Sequence, residues 1–232
     1  MLADVRERID RACARAGRDP GEVRLVAVTK GHDAEAVRAA VLDRGHRVLG
    51  ESRVQEWRPK AEALGPDVEW HLVGHLQTNK VRYCRGFALL HGVDSARLID
   101  ALEADGGRHG HVFPVLLQVN VAGESAKYGV DPADLADLVA RVRDAPHVRL
   151  EGLMTMAPYD PDPERARPVF RELRALAEWH GDGRTSMGMS GDFEVAIEEG
   201  ATWIRVGSAL FATEPADEPR QAGAPRPVEV DR

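Results

Sequence analysis

Short apolar runs recur along the chain, and between them apolar residues return every three or four positions. The runs are LVAV (25–28), RVLG (47–50), VEWHLVG (68–74), ALLHGV (88–93), VFPVLLQVNV (112–121), VRLEGLM (148–154), TSMGM (185–189) and TWIRVG (202–207). Runs this short and this apolar predict buried strands. The seventh carries the weakest pattern, because Gly188 and polar flanks dilute it.

The segments between the runs predict helices. Val5, Ile9, Ala12 and Ala16 share one face of a leading helix. Ala34, Val37 and Val41 follow the first strand, with Asp33 as N-cap and Gly45 beyond the end. Ser52 and Gln55 have capping-box spacing, and Ser95 is placed to cap a helix carrying Leu98, Ile99 and Leu102. Asp131-Pro132 and Asp162-Pro163 each read as an N-cap with proline at the first helical position. Phe193, Ala196 and Ile197 predict a short last helix before Gly200.

Repeated strand-then-helix units imply parallel strands with helices packed outside. Eight of them after one extra N-terminal helix predict a single (β/α)8 barrel of the TIM type over residues 1–213. An open doubly wound sheet is the alternative. It is weakened because the first βα turn is Thr29-Lys30-Gly31-His32-Asp33, where a dinucleotide fold needs G-x-G-x-x-G. From Glu214 the pattern stops. EPADEPRQAGAPRPVEVDR (214–232) is rich in proline and charge, cannot supply a core, and is expected to be disordered.

Composition narrows the function. The chain has 232 residues, 43% hydrophobic and 30% charged, with a formal net charge of -7. An acidic surface argues against nonspecific nucleic-acid binding. No apolar stretch approaches a membrane span, and the N-terminal segment has no apolar signal core. Cys13 and Cys84 form no metal-like cluster, and Cys13 shares a helical face with Ile9 and Ala16 as a small core residue. A cytoplasmic protein with reduced thiols, no metal and no membrane is the expectation.

In a (β/α)8 barrel the active site lies at the C-terminal ends of the strands. Lys30 ends strand one and shares its parity with Val26 and Val28, so it points into the barrel mouth. A desolvated lysine is a usable amine nucleophile, suited to Schiff-base formation with a carbonyl; a solvated strand-end lysine is the plain alternative. Arg205 sits inside an apolar run and needs an acceptor, either a ligand or a carboxylate in a structural ion pair. Ser190, Gly207 and Ser208 end strands seven and eight, where these barrels often bind phosphate; a simple N-cap is the other reading of Ser190. An amine opposite a phosphate cradle suits an aldehyde that carries a phosphate. Pyridoxal 5'-phosphate (PLP) and a phosphosugar aldolase substrate both fit.

VAVTK (26–30), GESRVQE (50–56), WHLVGHLQTNK (70–80), SMGMSGD (186–192) and IRVGSALF (204–211) resemble the pyridoxal phosphate homeostasis proteins, which are similar to the N-terminal barrel of alanine racemase. The resemblance runs from the first helix to Phe211. It implies that Lys30 carries PLP as a Schiff base, that Ser190, Gly207 and Ser208 hold its phosphate, and that Arg205 faces the pyridine nitrogen. It also implies that His71, Asn79 and Met187 line the pocket. Ser52, also a candidate cofactor-binding residue, stands where the family commonly has asparagine and offers no amide, so a ring contact made by that amide would pass to water, and Arg53 replaces a common aromatic. A role in intracellular vitamin B6 homeostasis follows from the resemblance, with PLP-requiring apoenzymes as candidate partners; a barrel standing without the racemase's second domain is expected to be a monomer. Lys80 is a candidate second amine or electrostatic guide, or a solvated lysine.

An arginine at the ring nitrogen disfavours protonation there and weakens PLP as an electron sink. Tyr83, Tyr128 and Tyr159 match no racemase motif, so no second base is legible. Both points favour a carrier with little or no turnover. A weakly active PLP-dependent amino-acid racemase is the alternative. A Schiff-base aldolase and a non-catalytic barrel that binds no cofactor are the remaining readings.

Overall fold

Eight parallel strands close into a barrel in chain order, and the last pairs back to the first, in this computed structural model. The structure describes residues 1–124, 128–181 and 183–211. The strands are β1 (Arg24–Val28), β2 (Val48–Glu51), β3 (Glu69–Leu72), β4 (Leu89–Val93), β5 (Phe113–Gln118), β6 (Val148–Met154), β7 (Thr185–Ser186) and β8 (Trp203–Val206). The helices are α1 (Leu2–Ala16), α2 (Ala34–Ala40), α3 (Val54–Leu64), α4 (Ala96–His109), α5 (Leu135–Arg143), α6 (Arg167–His180), α7 (Phe193–Glu198) and α8 (Ser208–Phe211). A 3₁₀ helix, Thr78–Tyr83, takes the place of an α-helix between β3 and β4. The tail from Glu214 lies outside the described residues.

Strand pleat sorts the apolar residues into two layers. Val26, Leu89, Leu116, Met154 and Trp203 fill the barrel interior, with Val48, Val73 and Met156 packed on them. Leu25, Ala27, Leu49, Leu72, Leu117, Ile204 and Val206 face the helices instead. Burying a large apolar side chain contributes roughly 1.5–3 kcal/mol, so the two layers together carry most of the fold's stability.

Several local expectations meet their structural reason here. Asp33, Asp131 and Asp162 accept hydrogen bonds from the backbone N–H groups of Ala36, Ala133 and Glu164. Gly45 takes the left-handed conformation that ends the turn after α2. The capping box at Ser52 does not form. Arg53 is the N-cap of α3, because the backbone N–H of Ser52 turns back to the Glu51 carboxylate. β7 shrinks to two residues, since Gly188 at φ +89° bends the chain away. Its line of pairing continues past the strand, where Arg205 N–H donates to the Gly188 carbonyl.

Candidate functional site

The strand ends surround a cavity of about 480 Å³. That is within the range of small-molecule sites. Lys30, Ser52, Ser190, Arg205, Gly207 and Ser208 all line it. A larger groove of about 990 Å³ lies on the outer flank between α3 and the Thr78–Tyr83 helix, away from these strand ends.

Lys30 follows Val28 out of the barrel and is exposed to the cavity. Of the two readings of its environment, desolvated or solvated, the second holds: Lys30 stands past the apolar layer, on the turn that Gly31 closes at φ +78°. The peptide before it is held firmly. Thr29 N–H donates to the Gly50 carbonyl (2.9 Å), and the Thr29 carbonyl accepts from Lys60 Nζ (2.7 Å). Lys60 also pairs with Glu51, which is fully buried. The same carboxylate accepts from Thr29 Oγ1 (2.7 Å) and Ser52 N–H (3.1 Å). Glu51 and Lys60 thus tie the ends of β1 and β2 together beneath Lys30. The sequence offered no signal for Lys60, whose partner lies nine residues away on a different element.

Arg205 is 4% exposed, and no carboxylate among the described residues makes an ion pair with it. Its NH1 donates to Ser186 Oγ (2.6 Å) and its NH2 to the Thr155 carbonyl (2.9 Å). Burial pulls its pKa down to about 10, and the nearby Asp192 charge opposes that fall. Stripping water from an arginine costs several kcal/mol when no anion compensates. The structural ion pair is thereby set aside, and N–H donors remain for a cavity ligand.

Ser190 is not the N-cap of α7; Asp192 is. Ser190 Oγ accepts from the backbone N–H groups of Gly207 (3.2 Å) and Ala209 (3.4 Å) at the end of β8. Backbone donors and hydroxyls therefore converge at one wall of the cavity, an arrangement suited to an anion. Asp192 Oδ1 accepts from Met189 N–H (2.6 Å) and holds this turn, and burial raises its carboxyl pKa.

Three expected residues are placed elsewhere. His71 lies inside the barrel below the cavity, bonded to Glu69 and His91, because its strand parity points it inward one layer too low. Asn79 is exposed on the Thr78–Tyr83 helix. Met187 is fully buried among the residues that face the helices. Lys80 lines the outer groove rather than the cavity.

The structure adds lining residues that motif reading missed, among them His75, Gln118, Tyr128, Tyr159 and Asp160. His75 stacks on Tyr128 with ring centroids 3.8 Å apart and lies 3.4 Å from Asp94. Gln118 Nε2 donates to the Tyr128 carbonyl (2.9 Å). Two of the three tyrosines thus reach the cavity, though no motif marks them.

The model of the alanine racemase N-terminal domain matches residues 1–215. The pyridoxal phosphate homeostasis protein of Aquifex aeolicus is 44% identical over 218 residues, covering 90% of this chain and 95% of that protein. This chain belongs to the pyridoxal phosphate homeostasis protein family. The Deinococcus radiodurans member is 45% identical over 212 residues, covering 91% of this chain and 98% of its own. Among solved structures, PipY of Synechococcus elongatus with PLP bound superposes with a TM-score of 0.76 at 36% identity, covering 88% of this chain and 99% of PipY.

Proposed function

We propose that this chain binds PLP, holds it as a Schiff base on Lys30, and serves in PLP homeostasis with little turnover. One observation carries the reading: a single cavity joins an accessible primary amine to a buried arginine that makes no ion pair with a carboxylate among the described residues. The residues fit the group. The Lys30 amine suits the aldehyde, with water released as the imine forms. Ser190, Ser208 and the backbone of Gly207 suit the phosphate, and Arg205 can donate to the ring nitrogen without giving up its proton. When bound, PLP supplies an electron sink. Arg205 limits that capacity, because its fixed positive charge disfavours a second proton on the nitrogen beside it. The binding of PLP by PipY supports the same reading.

A second reading, a weakly active amino-acid racemase, draws on Tyr128, Tyr159 and His75 in the cavity wall. Any of them is a candidate proton carrier there.

The test is purification followed by borohydride reduction and peptide mapping. A yellow protein whose label maps to the Lys30 peptide is expected, and Lys30→Ala is expected to lose the absorbance. An unchanged spectrum in Lys30→Ala would refute the assignment. Exchange of the α-proton of added amino acids in heavy water would favour the racemase.

A further inference from the structure

A file of polar side chains crosses the apolar interior of the barrel. Arg205 NH1 lies 2.6 Å from Ser186 Oγ, and Ser186 Oγ lies 2.9 Å from His91 Nδ1. His91 Nε2 is 2.9 Å from His71 Nδ1, and His71 Nε2 is 2.8 Å from Glu69 Oε1. Glu69 is held in turn by Arg24 NH2 (2.8 Å). Ser186 and His91 are fully buried and His71 nearly so. Arg205 lines the cavity at the C-terminal mouth. Glu69 lines a separate cavity of about 180 Å³ at the N-terminal mouth, with Arg24, Arg149, Glu151 and Trp203.

The two ends fix the direction of every bond between them. Arg205 can only donate, so Ser186 Oγ accepts there and is free to give its own proton to His91 Nδ1. His91 then carries its proton on Nε2 and donates to His71 Nδ1, and His71 donates from Nε2 to the Glu69 carboxylate. Reversing the chain would aim a bare nitrogen lone pair of His71 at a carboxylate, or would bury a second proton on His71. The first is repulsive, and the second charges a ring that burial keeps neutral.

We infer that Ser186, His91, His71 and Glu69 are positioning residues that orient the Arg205 guanidinium by a one-way chain of hydrogen bonds anchored at the opposite end of the barrel. Each member of the chain has its donors and acceptors matched. Arg205 therefore meets the cavity in one orientation, fixed by Ser186 Oγ on NH1 and by the Thr155 carbonyl on NH2. The consequence for a bound cofactor rests on the PLP reading; the chain itself does not.

Histidine-selective ¹⁵N NMR at neutral pH on the ligand-free protein tests the chain. His71 and His91 are expected as neutral Nε2–H tautomers. Glu69→Leu is expected to lose that preference at both histidines, including His91, which Glu69 does not touch. Glu69→Gln offers an amide oxygen in the same place and is expected to restore it. Unaltered tautomers in Glu69→Leu, or a proton on His91 Nδ1 in the native protein, would overturn the inference. Should Glu69→Leu not fold, loss of the His91 preference in Ser186→Ala gives the same decision. Addition of PLP separates the two readings. A shift in the bound chromophore's absorption in Glu69→Leu that Glu69→Gln reverses, with Lys30 still labelled by borohydride in both, supports the positioning of Arg205 toward the cofactor, and equal spectra in the two variants would count against it. An intact tautomer pattern in a protein that takes up no PLP would refute the cofactor reading and leave the chain of bonds standing.

Discussion

At the scale of single residues, the site depends on charges placed where water is scarce. Glu51 is fully buried and its carboxylate meets Lys60, Thr29 Oγ1 and Ser52 N–H together. Removing one member of such a pair leaves the other without compensation. Lys60→Met is therefore expected to destabilise the fold by about 3–5 kcal/mol, measured by urea unfolding. Glu51→Gln combined with Lys60→Met is expected to lose less than Lys60→Met alone, since no bare charge remains. A double variant weaker than the single would contradict the uncompensated-charge account. Lys30 and Arg205 were legible in the sequence because each interrupts an apolar strand pattern with a cation. Lys60 was not, because on a helix a lysine is ordinary and only the fold brings it to Glu51.

At the scale of elements, caps and turns decide how each strand hands over to its helix. Asp33 Oδ1 accepts from Ala36 N–H at 2.8 Å and starts α2, directly after the turn that carries Lys30. Asp33→Ala is expected to cost about 1 kcal/mol in thermal or urea unfolding. Ser52 makes no such cap, so Ser52→Ala is expected to change stability by less than about 0.5 kcal/mol. A Ser52→Ala loss as large as that of Asp33→Ala would reinstate the capping box. Close approach matters as much as capping. A Cβ on Gly74 would lie 2.2 Å from the Ser52 carbonyl oxygen, so the ends of β2 and β3 can meet only over a glycine. The apolar run matches β6 residue for residue and β1 and β2 to within one residue, but it overruns β3, β4, β5, β7 and β8 by one to four residues, β5 most of all. Apolar runs continue into the barrel rim, where side chains stay buried after ladder pairing has stopped.

At the scale of the whole molecule, the barrel interior holds histidines that fold in their neutral form. Burial lowers the pKa of His71 and takes that of His91 well below the ordinary value, while Glu69 partly supports the charged form of His71. The unfolded chain titrates these histidines near about 6.5, so below that pH it binds protons that the folded chain refuses. Their stabilising effect is thus complete above about pH 6.5 and is lost as pH falls. Each such histidine contributes up to about 1.4 kcal/mol per pH unit between its folded pKa and its unfolded one. Asp192, raised by burial, acts in the opposite sense above the usual carboxylate range. The net expectation is falling stability from pH 7 to pH 5, followed by urea midpoints on the ligand-free protein; a level midpoint would refute it. The sequence by itself determined the number and order of the strands, most of the helices between them (not α8 or the Thr78–Tyr83 helix), the parallel barrel, and the cations at the strand ends. Those follow from local periodicity and from which residue types break it. Only the tertiary structure decided that His71 faces the opposite mouth, that Met187 packs toward the helices, and that Arg205 makes no ion pair with a carboxylate among the described residues. Those depend on register and closure between strands far apart in the chain, which local pattern does not encode.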